Sequence, residues 1–308
     1  MRYKVTVVGA GNVGATAAQL IAQADLADVV MVDVAGDLAT GKALDMMESA
    51  PVLGFNAQIS GGSDYAPTAG SDVCVITAGL ARKPGMSRDD LVAKNTDIVT
   101  EVVKQLVQYS PDTILIIVTN PLDAMAEVAR RVSGFPRERV LGMAGVLDAA
   151  RMRHFIAAEL KVSVEDVDAF VLGGHGDTMV PLPRYATVNG IPLPQLLAAD
   201  TIEAINTRTK NGGAEIVNYY KTGSAYYAPG ASSYEMVAAI LGDKKKILPC
   251  AAFLQGEYGL NDLFVGVPIL LGRKGLEKVI ELELTDDEKA LLEKSANAVR
   301  ELVASLPK

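Results

Sequence analysis

The chain has 308 residues, of which 49% are hydrophobic and 21% charged. That balance excludes a disordered chain and supplies a core that needs no disulfide or metal staple. A net charge of −8 and a pI near 5.0 argue against general affinity for nucleic acid or an anionic membrane.

Residues 4–8 are short, apolar and β-branched, which predicts a strand, and a glycine turn follows. Residues 12–24 carry Val13, Ala17, Leu20, Ile21 and Ala24 at helical spacing. Residues 29–32 are a second apolar strand ending at Asp33, and residues 72–77 and 113–119 are two more. All four runs are continuously apolar, as strands buried on both faces of a parallel sheet should be. Helical stretches at residues 37–49, 87–108 and 121–132 separate them. Repeated βα units predict an α/β doubly wound, Rossmann-type sheet.

After residue 145 the pattern changes to α+β. A helix is expected over residues 148–160, strand-like runs at 170–172 and 185–188, and a turn at Asn189-Gly190. A long helix over 199–220 is expected to break at Gly212-Gly213, and another to begin near Ser232. Runs at 264–271 and 278–282 read as strands. Thr285 and Glu288 form a capping box ahead of a C-terminal amphipathic helix. The expected division is a dinucleotide-binding domain over 1–145 and a second domain over 146–308. No linker separates them, so they should pack tightly. The longest apolar runs fall far below the ~18 residues that span a bilayer. The first residues enter a strand at once, so no signal peptide is expected.

Gly9-Ala10-Gly11-Asn12-Val13-Gly14 matches G-x-G-x-x-G between a strand and a helix, and Asp33 ends the next strand. Gly9 would make the tight turn, Gly11 would let the backbone approach a pyrophosphate, and Gly14 would allow close helix–strand packing. Asp33 can accept the ribose hydroxyls and repel a 2′-phosphate, which favours NAD over NADP. The segment containing Arg82, Lys83 and Arg88 follows a strand. It reads either as a lid bringing arginines onto an anionic substrate or as a solvated charged loop. Asn120-Pro121 also ends a strand and reads as a ligand contact or a simple turn. Asp148 and Arg151 share a helix face, as a site or as a surface ion pair. His175 sits in Gly173-Gly174-His175-Gly176-Asp177, where glycines clear space for a proton-transferring ring or simply form a turn. His154 reads as an ordinary helical residue, Lys244-Lys245-Lys246 as a solvated turn, and Met46-Met47 and Tyr226-Tyr227 as packing residues. The two cysteines, Cys74 and Cys250, have no Cys/His cluster around them. Cys74 lies in an apolar run as a buried thiol, which fits a reducing cytoplasm.

Together these residues resemble the lactate/malate dehydrogenase family over essentially the whole chain. The specific pieces are Gly9 to Gly14 with Asp33, Arg82 to Arg88, Asn120-Pro121, Gly145 to Arg151, and Gly173 to Asp177. Within the family the chain looks most like the malate-oxidising members that are similar in sequence to lactate dehydrogenases. The resemblance implies NAD-dependent interconversion of malate and oxaloacetate by a homotetramer or homodimer. It implies His175 as acid/base with Asp148 as its partner, and Arg151 on the substrate's C1 carboxylate. It further implies Arg88 on the carbonyl, Asn120 on the substrate oxygen, and Asn12, Asn95 and Asn120 among the cofactor contacts. Arg82 stands where lactate dehydrogenases of this family typically carry Gln, and Ala225 where they usually carry Thr. Both departures imply a second substrate carboxylate. The rivals are a lactate dehydrogenase, weakened by Arg82, and a metal-dependent hydrolase on the same fold, which lacks ligands here. A non-enzymatic NAD sensor is the third, and it would need a broken catalytic set.

Overall fold

The continuously apolar runs of the first half pair side by side. In this computed structural model, residues 2–80 and 88–306 are described, apart from the side chains of residues 88 and 89. Elements alternate as β1 (Tyr3–Val8), α1 (Asn12–Gln23), β2 (Ala27–Val32), α2 (Gly36–Leu53), β3 (Ile59–Gly62) and β4 (Val73–Ile76), then α3 (Arg88–Tyr109), β5 (Ile114–Ile117), α4 (Leu122–Ser133) and β6 (Val140–Gly142). The six strands are parallel, in the order β3-β2-β1-β4-β5-β6. Every residue of β4 and β5 is buried, which is why neither alternates. The order reverses between β1 and β4, and the crevice beyond the carboxyl ends of such strands is where ligands bind.

The second half continues with α5 (Gly145–Leu160), β7 (Val167–Asp168), β8 (Val171–Leu172), β9 (Val180–Pro181), β10 (Thr187–Val188), β11 (Ile191–Pro192), α6 (Ala199–Tyr220) and α7 (Tyr227–Leu241). It ends with β12 (Lys246–Gln255), β13 (Asn261–Gly272), β14 (Gly275–Val279) and α8 (Asp286–Ala304). The antiparallel meander β12-β13-β14 joins β6 at the pair Ala251↔Gly142, so one nine-stranded sheet runs through both halves. The short antiparallel pair β8-β9 brackets the segment carrying His175, and a bridge between Gly173 and Gly266 ties it to β13. The capping box forms: the Glu288 N–H donates to Thr285 Oγ1 and the Thr285 N–H to Glu288 Oε2. No helix among the described residues is long and apolar enough to cross a membrane.

Several expectations need correction. Helix α6 runs unbroken through Gly212-Gly213. A Cβ on Gly212 would stand 3.0 Å from Arg151 Cδ and 3.2 Å from Nε, so the glycine admits an arginine and does not end the helix. Helix α7 begins at Tyr227, five residues early, and Tyr227 is exposed against the Tyr226 ring instead of packed in the core. Strands β3, β6 and β12 escape the pattern reading. β3 carries Gly61, where a Cβ would stand 2.1 Å from the Ala39 carbonyl oxygen, so close approach of α2 dictates a residue that weakens the strand signal. β12 carries Pro249, which argues against a strand, but it pairs opposite Pro268 of β13. The run expected at 278–282 is strand only to Val279. The lysines are not simply solvated: Lys245 pairs with Glu277 and Asp243, and Lys246 with Glu235.

Candidate active site

The glycine turn is held from four sides. Gly9 has φ +102, and a Cβ there would stand 2.6 Å from Thr77 Oγ1. A Cβ on Gly14 would stand 1.9 Å from the Gly9 carbonyl oxygen, so α1 packs on the turn only with glycine at 14. The Ala10 N–H donates to Asp33 Oδ2 at 2.6 Å, and Lys42 Nζ from α2 donates to the Ala10 carbonyl at 2.8 Å. Thr77 Oγ1 reaches the Val8 and Gly9 carbonyls, both at 3.1 Å. Gly11, by contrast, has nothing within 4 Å of its Cβ position, and it caps α1 without a side-chain hydrogen bond. An open backbone at an uncapped helix N-terminus suits a pyrophosphate. A cavity of about 310 Å³ runs from there past Asp33 to Tyr65 and Leu80. The residues fit an adenine dinucleotide. Asp33 also accepts from the Ala35 N–H at 2.9 Å, so it shapes the turn besides facing the cavity.

Asn95 is buried, and its Oδ1 accepts from the Leu80 N–H at 2.8 Å. Its Nδ2 donates to the Leu80 and Asn120 carbonyls at 3.1 and 2.6 Å. It therefore brackets the ends of β4 and β5, and it does not line either cavity at the carboxyl edge. Asn120 lines a second cavity of about 180 Å³ together with His175, Ser224 and Ala225. Asn120-Pro121 is a cis peptide.

His175 Nδ1 lies 2.9 Å from Asp148 Oδ2. A carboxylate only accepts, so Nδ1 carries the proton and Nε2 is left for chemistry. Asp148 is 2% exposed in the first turn of α5, which rules out the surface-pair reading of Asp148 and Arg151. Burial would lower the His175 pKa, but the Asp148 charge and hydrogen bond, with Asp123 behind, hold it above the ordinary histidine value. Arg151 Nη1 donates to Asp148 Oδ1 at 3.4 Å, and its Nε is buried with no hydrogen-bond partner among the described residues. Burial pulls its pKa down, against the pull of Asp148. The guanidinium lies along Gly212-Gly213 in a neighbouring cavity between α5, α6 and α7, which His154 also lines. Arg82 and the side chain of Arg88 lie outside the described residues. Cys74 and Cys250 are buried free thiols, and burial pushes Cys74 up to about 12.

Three residues of this region went unread in the sequence. Lys42 clamps the glycine turn. The His175 N–H donates to Asp123 Oδ2 at 2.9 Å, and the Gly174 N–H donates to Ser295 Oγ at 2.9 Å. Each contact is long-range, and no local pattern encodes it.

A family model for the NAD-binding domain of lactate/malate dehydrogenases matches residues 3–142, and one for their alpha/beta C-terminal domain matches residues 145–306. The chain belongs to the lactate/malate dehydrogenase family. A malate dehydrogenase of Salinibacter ruber is 61% identical over 297 residues, covering 96% of this chain and 94% of the relative. A solved structure of malate dehydrogenase from Salinibacter ruber superposes with a TM-score of 0.94 at 58% identity, covering 98% of this chain and 97% of that one. A lactate dehydrogenase of Cryptosporidium parvum, solved with lactic acid and nicotinamide adenine dinucleotide, matches with a TM-score of 0.95 at 39% identity, covering 99% and 98%. The family's fold is thus common to both substrates, and identity is higher to the Salinibacter ruber malate enzyme than to this lactate enzyme.

Proposed function

We propose that this family member is an NAD-dependent malate dehydrogenase that interconverts malate and oxaloacetate. The observation that carries the reading is the couple of half-buried His175 with buried Asp148 at the carboxyl edge of the sheet, in a chain whose relatives at 53–61% identity are malate dehydrogenases. NAD would be held by the Gly9–Gly14 turn, Asp33 and Asn120, with Asn12 at the start of α1 and Asn95 fixing the walls, and when bound it supplies the hydride acceptor. In oxidation, neutral His175 takes the substrate hydroxyl proton at Nε2. Asp148 keeps the ring in that tautomer and stabilises the imidazolium. In reduction, the imidazolium returns the proton. Arg151, whose guanidinium lies in the cavity neighbouring that of His175, would hold the substrate C1 carboxylate by a two-point fork. Asn120 orients the substrate oxygen, Arg88 stabilises charge on it, and Arg82 pairs with the second carboxylate. Leu38, Leu44, Val52 and Leu53 are exposed along α2, which supports a homodimer or homotetramer.

The test is NADH oxidation with oxaloacetate and pyruvate at equal concentration, in wild type and Arg82→Gln. Wild type is expected to prefer oxaloacetate by ~10²–10⁴, the worth of one buried charge left unpaired at ~1.4 kcal/mol per tenfold. The substitution should remove most of that preference. An unchanged ratio would defeat the assignment of Arg82, and a preference for pyruvate in wild type would make the chain a lactate dehydrogenase.

A further inference from the structure

Asp123 is a buried ionisable group beside His175 for which proton transfer through the His175–Asp148 couple has no use. It lies in the first turn of α4 and is 4% exposed. Its Oδ2 accepts the main-chain N–H of His175 at 2.9 Å. Gly174 sits directly on it: a Cβ there would stand 3.2 Å from Oδ2 and 2.6 Å from Val299 Cγ2. Glycine therefore lets the loop descend onto the carboxylate. Oδ1 is buried with no hydrogen-bond partner among the described residues.

That arrangement is costly for a purely structural acceptor. One N–H could be satisfied by a neutral side chain, whereas a carboxylate leaves a second oxygen desolvated and unsatisfied. The same loop shows what a neutral anchor looks like. Ser295 on α8 accepts from the Gly174 N–H at 2.9 Å and lies 3.1 Å from Thr178 Oγ1. Burial pushes the Asp123 carboxyl up to about 6, with Asp148 adding to the rise and His175 opposing it. Ionised Asp123 in turn favours the charged form of His175. Among the described residues, the charged groups facing His175 are Asp148 and Arg151 on α5 and Asp123 on α4. From α8, the uncharged Ser295 and Val299 pack against the loop.

We propose that Asp123 is a positioning residue and second counter-charge for His175, pinning its main chain from below while adding to the proton affinity that Asp148 confers at the ring. The inference rests on His175 being the acid/base.

The experiment is the pH dependence of kcat/KM for oxaloacetate with NADH, and of kcat for malate oxidation, in wild type, Asp123→Asn and Ser295→Ala. Asn keeps an acceptor for the His175 N–H and removes the charge. Both limbs should move to lower pH by about one unit, a tenfold loss in proton affinity. Ser295→Ala slackens the same loop without touching a charge, so it should lower the rate and leave the limbs in place. An active Asp123→Asn enzyme with an unmoved profile would overturn the counter-charge. So would an equal shift in Ser295→Ala, because loop position alone would then explain it. Should Asp123→Asn fail to fold, Asp123→Ser carries the same comparison. His175→Asn is the separate control: if it stays fully active, the acid/base reading falls and takes this inference with it. If it is dead while Asp123→Asn is unshifted, the inference alone fails.

Discussion

Replacing Asp148 by Asn isolates what the buried carboxylate contributes to half-buried His175. The two side chains touch at 2.9 Å, and Asp148 is 2% exposed. At a charge separation of about 4 Å and an effective dielectric of about 20, the attraction is ~4 kcal/mol. Removing one partner of a buried pair costs about 3–5 kcal/mol, because the remaining charge stays desolvated. At ~1.4 kcal/mol per tenfold, kcat/KM for oxaloacetate should fall about 10²- to 10⁴-fold. The sign with pH follows from the causes acting on His175. Burial lowers its pKa while the Asp148 charge and hydrogen bond raise it, so the value falls in the variant. Reduction needs the imidazolium, so the deficit grows as pH rises. Malate oxidation starts from neutral imidazole, so its acid limb moves down while its maximal rate also falls, because the imidazolium formed is unsupported. The assay is steady-state NADH oxidation from about pH 5.5 to about 9, with NADH affinity measured separately. That affinity should hold, since Asp148 does not line the cofactor cavity. A loss below about fivefold with an unmoved limb would refute the reasoning.

Two other perturbations follow from the site. Wild type should use NADH far better than NADPH, and Asp33→Ser should narrow that gap in kcat/KM. NADH binding should weaken as well, because Asp33 also holds the Ala10 and Ala35 N–H groups; equal wild-type values for the two cofactors would remove Asp33 from the ribose. Gly212→Ala brings a methyl group to 3.0 Å from Arg151 Cδ. It should raise KM for oxaloacetate several-fold to tenfold, about 1 kcal/mol, with the melting temperature little changed; an unaltered KM would show that Arg151 does not need that wall.

The parallel core was readable because β4 and β5 are wholly buried and β1 and β2 are buried toward their carboxyl ends, so those stretches are apolar save for buried Thr6. β3 and β6 were not, since Gly61 and Gly142 answer to a helix or neighbouring side chains pressing on the strand. The glycine turn and Asp33 were legible from spacing, because both lie within one βαβ unit. For His175, Asp148 and Arg151, local patterns left site and surface readings open, and the family resemblance separated them. Their proximity depends on α5 and the β8-β9 pair meeting in space. Asp123 illustrates the limit: at the start of α4 an acid looks like an ordinary partner for the helix dipole, and its contact to His175 crosses 52 residues.

The seam between β6 and β12 bears on how the two halves could be exchanged among relatives. A fragment stopping before α5 would leave β6 as an open sheet edge, and such edges recruit other chains. Gly142 is itself fitted to the other side, with a Cβ there 2.8 Å from that of Ala251 and 2.5 Å from Leu122 Cδ2. Chimaeras are therefore best built by moving β6 together with β12 and α4, so that the crossover falls in a loop and the interlocking trio has a single parent. Segments on either side of such a crossover could then be recombined without reopening the sheet.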